Sequence, residues 1–458
     1  MSGQRAPGPY GGQLRACLNR LQGDVLAELM ALHAHYGDIV RLPIFPRPLY
    51  LFRHPDAIQH ILRDQAKRYR KGNRFKAIAA VQGQGLLTSE GDLWRQQRRL
   101  MQPIFRQQRV ILFHEVVSEE AQDLVHGWRL AARSGDAVNV TAWLHRLAFR
   151  VVGRALLGLQ PSELDPLARR IEAIAAPLIH HITAGNPRRV PVLARVPTWL
   201  PSPRIQRFRR ALRAYHDIAQ HIVDKRRQTM SFAAEADTDL LSRLIRAHDA
   251  ETGLAPQQLR DEIITLIGAG VETSATALSW AWYILAQYPE STQRLHAEID
   301  DHLNGRTPLP GDLAALTYSR MILEETMRLY PPSAILPRQA NTVDHLETYT
   351  IPKHAVVLMS QYVTHRHPDF WPAPERFDPE RFTPARVAQQ HRFAYFPFGA
   401  GPRVCIGKPL ALLEMHLTLV ILAQTYVLRL IPERPVQPAL GATLYPRGGL
   451  WMTVHERS

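Results

Sequence analysis

A stretch rich in glycine, proline and arginine, FGAGPRVCIG at residues 398–407, holds one of only two cysteines in the 458-residue chain. A helix is predicted directly after it, and the N–H groups and dipole at a helix N-terminus lower the pKa of a nearby thiol. Cys405 could therefore act as a thiolate, which is either a nucleophile or a metal ligand. A nucleophile needs a histidine base and a structural zinc needs three further cysteine or histidine ligands, and neither pattern occurs nearby.

The glycines at 399, 401 and 407 allow backbone conformations and close approach that a Cβ would forbid, so a flat or bulky group could lie against this loop. A single thiolate is what a haem iron takes on its proximal side, and Arg403 would then meet a haem propionate. The alternative is a buried cysteine in a glycine turn, with no ligand role.

The segment AGVETS, residues 269–274, puts a glycine, an acid and a threonine in the middle of a predicted buried helix over 256–288, where each is individually unfavourable. Several residues that are unfavourable in a helix, found together, are typical of a functional site. We expect Gly270 to leave room beside the helix, Thr273 to bond a ligand or water, and Glu272 to carry protons inward. The alternative for Thr273 is a hydrogen bond within its own helix.

Two further pairs of residues have the spacing of neighbours on one helical face. Glu325 and Arg328 lie three apart in ETMRLYPP, and without a special role they would form an ordinary surface ion pair. Trp94 and Arg98 lie four apart in GDLWRQQRRL, where an ordinary solvated arginine is the alternative.

The cysteine stretch resembles the haem-binding loop of the cytochrome P450 family, F-x-x-G-x-R-x-C-x-G. It matches at Phe398, Gly401, Arg403, Cys405 and Gly407. AGVETS resembles the oxygen-activation segment of the same family, with glutamate where many members have aspartate. The matching motifs follow one another in family order from residue 94 to residue 407.

The resemblance implies a role for each matching residue. Cys405 would be the axial thiolate ligand of haem b, and Thr273 and Glu272 would be catalytic, handling protons for O–O cleavage. The E-x-x-R pair of Glu325 and Arg328 would be completed by Arg381, from the second of two PERF sequences. The residues implied to contact the cofactor are Trp94, Arg98, Ala269, Gly270, Arg338, Phe398, Gly399, Arg403, Cys405 and Gly407.

The implied fold is mainly α, the cytochrome P450 fold, with a large helical domain and a small β-rich N-terminal region. We expect a single domain over residues 1–458. Its β-rich part would lie near 38–62 and 335–365, and its helical haem-binding part would cover 88–330 and 390–430. Cys17 falls outside the motifs and is expected to be a passive thiol.

The implied activity is insertion of one oxygen atom of O₂ into a C–H or C=C bond of a small hydrophobic substrate, such as a fatty acid, terpenoid or carotenoid. A peroxide-driven haem-thiolate peroxygenase and a non-catalytic haem sensor are the alternatives. With no cysteine cluster for an iron–sulfur centre, electrons are expected from a separate ferredoxin or flavodoxin and its NAD(P)H reductase.

A net charge of +15 suits nucleic acid, an anionic membrane surface or an acidic protein partner. No aromatic-basic reading module supports nucleic acid. We expect the acidic redox protein to dock at the arginines of residues 95–109, and the proline-rich, basic loop 188–204 could touch a lipid surface or cap a pocket. The chain shows no predicted membrane span or export signal and few cysteines, so we predict a cytoplasmic location. We also expect the protein to be a monomer.

Hydrophobic periodicity supplies the remaining predictions. Strands are expected in DIVRLPI, in PLYLF and at 355–359, and a helix is expected to begin in HPDAIQHIL. Apolar residues recur every three or four positions, which predicts helices over 117–132, 142–158, 164–182, 204–228, 238–249, 256–288 and 409–423.

Overall fold

The computed structural model describes residues 4–72, 75–183, 203–230, 239–249 and 255–457. The protein is mainly helical, as predicted. The α-helices are α1 Gly11–Arg20, α2 Val25–Tyr36, α3 Pro55–Gln59, α4 Phe75–Gln82, α5 Gly91–Met101, α6 Gln107–Val110, α7 His114–Ser134, α8 Val140–Ala155, α9 Pro161–Thr183, α10 Pro203–Thr229, α11 Leu240–Asp249, α12 Pro256–Leu285, α13 Pro289–Leu303, α14 Thr317–Leu329, α15 Gln361–Thr364, α16 Pro384–Gln389 and α17 Lys408–Thr425.

The strands are β1 Ile39–Leu42, β2 Leu49–Phe52, β3 Tyr69–Arg70, β4 Ala137–Asn139, β5 Leu336–Ala340, β6 Asp344–Leu346, β7 Tyr349–Ile351, β8 Val356–Met359, β9 Tyr426–Leu430, β10 Pro438–Leu440, β11 Leu444–Pro446 and β12 Trp451–Glu456. The chain forms two compact units. The first unit comprises Met1–Phe75 with Glu324–Cys405, and the second comprises Lys76–Leu323 with Ile406–Ser458.

The first unit is built on a five-stranded sheet in the order β1-β2-β8-β5-β3, in which only the β2–β8 pairing is parallel. Successive side chains of a strand point to opposite faces. Tyr50 and Phe52 of β2 accordingly pack into one apolar cluster while Leu51, between them, packs into another. Both faces of the sheet are therefore covered, which explains why these short strands read as nearly continuous apolar runs.

The second unit is organised around α12, a helix of 30 residues that is about 45 Å long at about 1.5 Å per residue. Pro256 lies in its first turn, where the missing N–H costs nothing. Trp280 and Trp282 are fully buried, as expected for a helix that is apolar nearly all round. A three-stranded sheet, β4-β12-β9, and the β10–β11 hairpin also belong to this unit.

Within the described ranges, α12 is the one helix long and apolar enough to cross a membrane. Its most apolar window is 67% buried inside the structure. A core helix passes the same test of length and composition, so this helix is weak evidence for a membrane span.

The helices predicted from apolar periodicity occur within a few residues of their expected bounds. The central run predicted to residue 288 ends at Leu285, three residues earlier. The strands after residue 425 were not predicted. β12 pairs with β9 and with the distant β4, and β10 and β11 form a hairpin in which each strand has only three residues. Residues 188–202 of the proline-rich loop lie outside the described residues, and α10 begins at Pro203.

Candidate functional site

The cysteine loop is closed by its own backbone. The Cys405 N–H donates to the Phe398 carbonyl at 2.9 Å, and the Gly399 N–H donates to Phe396 O at 2.8 Å. The Cys405 side chain is exposed, and its position is three residues before α17 begins. A thiol is thus presented outward from a loop whose backbone is fixed by hydrogen bonds.

The three glycines of this loop serve different purposes. Gly399 and Gly401 both have φ of 69°, in the left-handed region that favours glycine. A Cβ at Gly401 would lie 1.8 Å from the Leu62 carbonyl oxygen, so the close approach at this position is to the chain itself. A Cβ at Gly399 would meet nothing nearer than a Leu336 methyl at 4.0 Å, which leaves open space beside the loop. Gly407 has φ of −78°, so its backbone conformation does not explain the glycine predicted to be needed there.

Two buried side chains that the sequence analysis missed hold the segment leading into the loop. His365 Nε2 accepts the Phe396 N–H at 3.0 Å, and Gln361 Nε2 donates to the Phe396 carbonyl at 3.2 Å. Burial lowers the pKa of His365 to about 3, which keeps the ring neutral and able to accept. Both residues therefore fix the backbone just before Phe398.

Glu325, Arg328 and Arg381 meet in the first unit. Arg328 Nε lies 2.6 Å from Glu325 Oε2 in a pair with both side chains 0% exposed, and Arg381 Nε lies 3.4 Å from Glu325 Oε1. Arg328 also donates to the carbonyl of His365 at 2.9 Å. The pair is therefore buried rather than on the surface, and a chain of hydrogen bonds runs from Glu325 through His365 to Phe396.

Two further predicted residues of the first unit carry positive charge. Arg338 lies on β5, opposite Val357 of β8, and is nearly buried. Arg403 ends a short 3₁₀ turn, Gly401–Arg403, and lies two residues before Cys405. Guanidinium groups of this kind suit the carboxylates of a bound anionic group.

The middle of α12 is partly open. Residues 268–273 are half-buried or exposed, whereas the helix is buried at 261–267 and almost entirely from Ser274 onward. Ala269 is exposed, and its carbonyl accepts the Thr273 hydroxyl at 2.9 Å. Thr273 therefore bonds within its own helix in this structure, which was the alternative to a bond with ligand or water.

Gly270 lies where α12 packs against α8. A Cβ at this position would lie 2.8 Å from a methyl of Val152. The room predicted beside Gly270 is filled by that side chain, so the missing Cβ allows the two helices to approach each other.

Glu272 is hydrogen-bonded to a residue of the turn between β10 and β11. Its Oε1 accepts the Thr443 hydroxyl at 2.7 Å, across 171 residues of sequence. Nothing in the local pattern around residue 443 indicates this contact, because only the folding of the β10–β11 hairpin onto α12 brings the two residues together.

Trp94 and Arg98 line one surface cavity in the second unit, with a volume of about 560 Å³. Arg98 Nε donates to Gln102 Oε1 at 2.7 Å. The other residues around this opening, which we call the arginine cavity, are Arg95, Arg99, Pro103, Arg106 and Arg243. Five arginines around one opening favour an anionic group or an acidic surface.

The donor set fits a haem better than a protein-ligated metal ion. In the part of the chain that the structure describes, no three histidine, cysteine or acidic side chains come together to hold a metal. Cys17 is buried, and its burial raises the pKa of that thiol to about 12, as expected for a passive cysteine. An exposed thiol beside open space at Gly399, with arginines on the same unit, fits a flat, anionic group bound through one sulfur.

Comparisons with known proteins identify the family of this chain. The sequence model of the cytochrome P450 family matches residues 7–450. Cyclooctatin synthase of Streptomyces melanosporofaciens is 34% identical over 90% of this chain and 87% of its own length. Cyclooctat-9-en-7-ol 5-monooxygenase of the same organism is 32% identical over 89% and 86%.

A solved structure shows the same fold. The crystal structure of a cytochrome P450, CYP102L1, aligns over all of both chains with a TM-score of 0.85 at 22% identity. The matched loop, the central helix and the near-complete match to the family model all lead to one conclusion. This chain belongs to the cytochrome P450 family and is an oxygen-incorporating oxidoreductase.

Proposed function

We propose that Cys405 binds the iron of haem b and that this P450 monooxygenase inserts one oxygen atom of O₂ into a hydrophobic, terpenoid-type substrate. The bound haem would supply the oxygen-activating chemistry, which a thiolate ligand favours by donating electron density. The observation that carries the proposal is the exposed Cys405 thiol on a loop whose backbone is fixed by hydrogen bonds. The Cys405 N–H donates to the Phe398 carbonyl, and the Phe396 N–H donates to the His365 ring, whose own carbonyl accepts from Arg328.

The remaining predicted residues would hold the cofactor through charge and shape. Arg98, Arg338 and Arg403 would pair with the haem propionates, and Trp94 would donate its indole N–H. Ala269 and Gly270, at the open stretch of α12, would border the haem together with Phe398, Gly399 and Gly407. These roles come from the family resemblance. The positive charge of the three arginines and the exposure of Ala269 support them.

The absorption spectrum of the reduced, carbon monoxide-treated protein tests the thiolate. We expect the band typical of thiolate-ligated haem in the wild-type protein and its loss in Cys405→Ala. Cys17→Ala is the matched control, since it removes the other cysteine, and it should keep the band. Retention of the band in Cys405→Ala would contradict the assignment.

Glu272 and Thr273 would handle the protons that oxygen activation consumes. Glu272 would bring a proton to the open part of α12, and Thr273 Oγ1, now bonded to the Ala269 carbonyl, would pass it on. Glu272→Gln and Thr273→Ala should each lower the product formed per NADPH and raise hydrogen peroxide release. Wild-type turnover with peroxide, but none with NADPH and a reductase, would instead support the peroxide-driven alternative.

The proposed substrate class rests on the relatives. One relative is named as a monooxygenase of cyclooctat-9-en-7-ol, a ring-containing alcohol, and the proposed substrate is of that kind. A spectral titration with a cyclic terpene alcohol, palmitic acid and β-carotene compares the three substrate classes. Tightest binding of palmitic acid or β-carotene would contradict the terpenoid proposal.

The proposed redox partner is an acidic ferredoxin or flavodoxin that docks at the arginines of residues 95–109, of which Arg95 and Arg99 are exposed. Charged surfaces of opposite sign speed association at low ionic strength, and salt screens this attraction over about 8–10 Å. Arg95→Glu with Arg99→Glu should slow reduction by the partner and weaken its dependence on salt. Arg207→Glu with Arg210→Glu, on the exposed side of α10, is the matched control and should leave reduction unchanged. Equal effects of the two double variants would refute this docking site.

A further inference from the structure

The β10–β11 hairpin near the C-terminus is anchored on the central helix at two points. Trp280, fully buried on α12, donates its Nε1–H to the Leu444 carbonyl at 2.7 Å. The preceding residue, Thr443, donates its hydroxyl to Glu272 Oε1 at the same distance. The hairpin thus reaches the acid of the oxygen-activation segment with a side chain from a separate part of the sequence.

The position of Thr443 is fixed by contacts other than its hydrogen bond to Glu272. It is 5% exposed, its carbonyl accepts the Gly441 N–H at 2.8 Å across the turn, and the β10–β11 strands pair on either side. A β-branched side chain also has few rotamers available. The hydroxyl donor is therefore preorganised, and little conformational entropy is lost when it binds the carboxylate.

Glu272, by contrast, is only half-buried at the open stretch of α12, and a glutamate side chain has several rotamers. Without a fixed donor its carboxylate would sample several directions. The distance and direction between a proton carrier and its acceptor control the transfer rate, so a small misplacement of the carboxylate is costly.

We propose that Thr443 is a positioning residue for Glu272: its hydroxyl holds the carboxylate in the orientation from which Glu272 delivers protons. This inference rests on the proposed function, in which Glu272 is the proton carrier. It also gives the C-terminal hairpin a role beyond packing.

A double-mutant cycle tests the proposal on the haem-containing enzyme. Thr443→Val removes the hydroxyl at nearly constant shape, and we expect the product formed per NADPH to fall about fivefold, the factor for one net hydrogen bond. Thr443→Ser keeps the donor and should stay within about twofold of the wild type. Thr443→Val should cause no further loss in a Glu272→Gln background, because the group that Thr443 positions no longer carries protons.

Trp280→Phe is the control for a general loosening of the hairpin, since it removes the other anchor and keeps the Thr443 hydroxyl. It should lower product per NADPH less than Thr443→Val does. Three results would overturn the proposal: Thr443→Val within twofold of the wild type, the same fivefold loss in the Glu272→Gln background, or an equal loss in Trp280→Phe.

The same double-mutant cycle, measured by urea unfolding, detects the hydrogen bond between Thr443 and Glu272 without any turnover. Non-additive midpoints for Thr443→Val and Glu272→Gln are expected if the hydrogen bond exists. Non-additive unfolding with additive turnover would overturn the positioning role while the monooxygenase assignment stands. Absence of product from the wild type with every electron source and substrate class would refute the proposed function, and the positioning role with it.

Discussion

Glu414 of α17 is a buried acid, and its substitution tests whether burial raises the pKa of its carboxyl. It is 1% exposed, and burial raises the pKa of its carboxyl to about 8, although a hydrogen bond to Ser274 opposes the rise. In the part of the chain that the structure describes, its Oε1 has no hydrogen-bond partner. We therefore expect Glu414 to be protonated in the folded protein at pH 7, when the same side chain in the unfolded chain is ionised.

The sign of the pH dependence follows from this difference in pKa. Because the folded state holds the proton more tightly, stability is highest below the ordinary value of 4.5 and falls as the pH rises from 4.5 to 8, levelling off above that. At about 1.36 kcal/mol per pH unit, the whole interval corresponds to about 5 kcal/mol. Roughly 4 kcal/mol of this is lost between about pH 5 and pH 9.

Glu414→Gln removes the titrating group and keeps its shape. The free energy of unfolding of the variant minus that of the wild type should therefore rise by roughly 4 kcal/mol from about pH 5 to pH 9. Urea unfolding followed by tryptophan fluorescence at each pH measures this difference. Glu290→Gln, at an exposed position in the first turn of α13, is the control and should change stability by less than about 0.5 kcal/mol throughout. If the unfolding free energy of Glu414→Gln minus that of the wild type changes as little with pH as it does for Glu290→Gln, the raised pKa of Glu414 is refuted.

Two further predictions concern the first unit, and urea unfolding measures both. Gly401→Ala should cost at least about 3 kcal/mol, because it combines a positive φ with a Cβ 1.8 Å from a carbonyl oxygen, whereas Gly399→Ala has the same φ without the clash and should cost about 1–2 kcal/mol. Equal losses would show that the loop can move away from the clash. Glu325→Ala should cost about 3–5 kcal/mol because it leaves the buried Arg328 cation without its ionic partner, whereas Asp64→Ala, in an exposed ion pair, should have a much smaller effect.

The parts of the site that were predictable are those encoded in short stretches of sequence. The Cys405 loop is contiguous, and Glu325 and Arg328 are three apart on a helix, so spacing alone places each set together. The long central helix was equally predictable, because its apolar residues repeat with the helical period between two prolines. The residue at which this helix ends could not be predicted. The helix ends where the Ala286 N–H donates to the carbonyls of Trp282 and Ile284, and such bonds in the last turn are not evident from the apolar pattern.

The contacts that could not be predicted join residues distant in sequence. His365 meets Phe396 across 31 residues, and Thr443 meets Glu272 across 171. Each partner is an ordinary histidine or threonine in its own segment, without a local pattern that marks it. The prediction of open space beside Gly270 was wrong for the same reason, since the side chain of Val152, on another helix, fills that space.

By itself, the amino-acid sequence determined the family, the helical architecture and the thiol that could bind a haem. Only the tertiary structure decided which groups surround that chemistry: that Glu272 is held by Thr443, that Thr273 bonds the Ala269 carbonyl, and that Glu414 is buried as an acid. The physical reason is range. Helical period and loop glycines act between residues a few positions apart, whereas the orientation and pKa of a side chain depend on whichever segments fold against it.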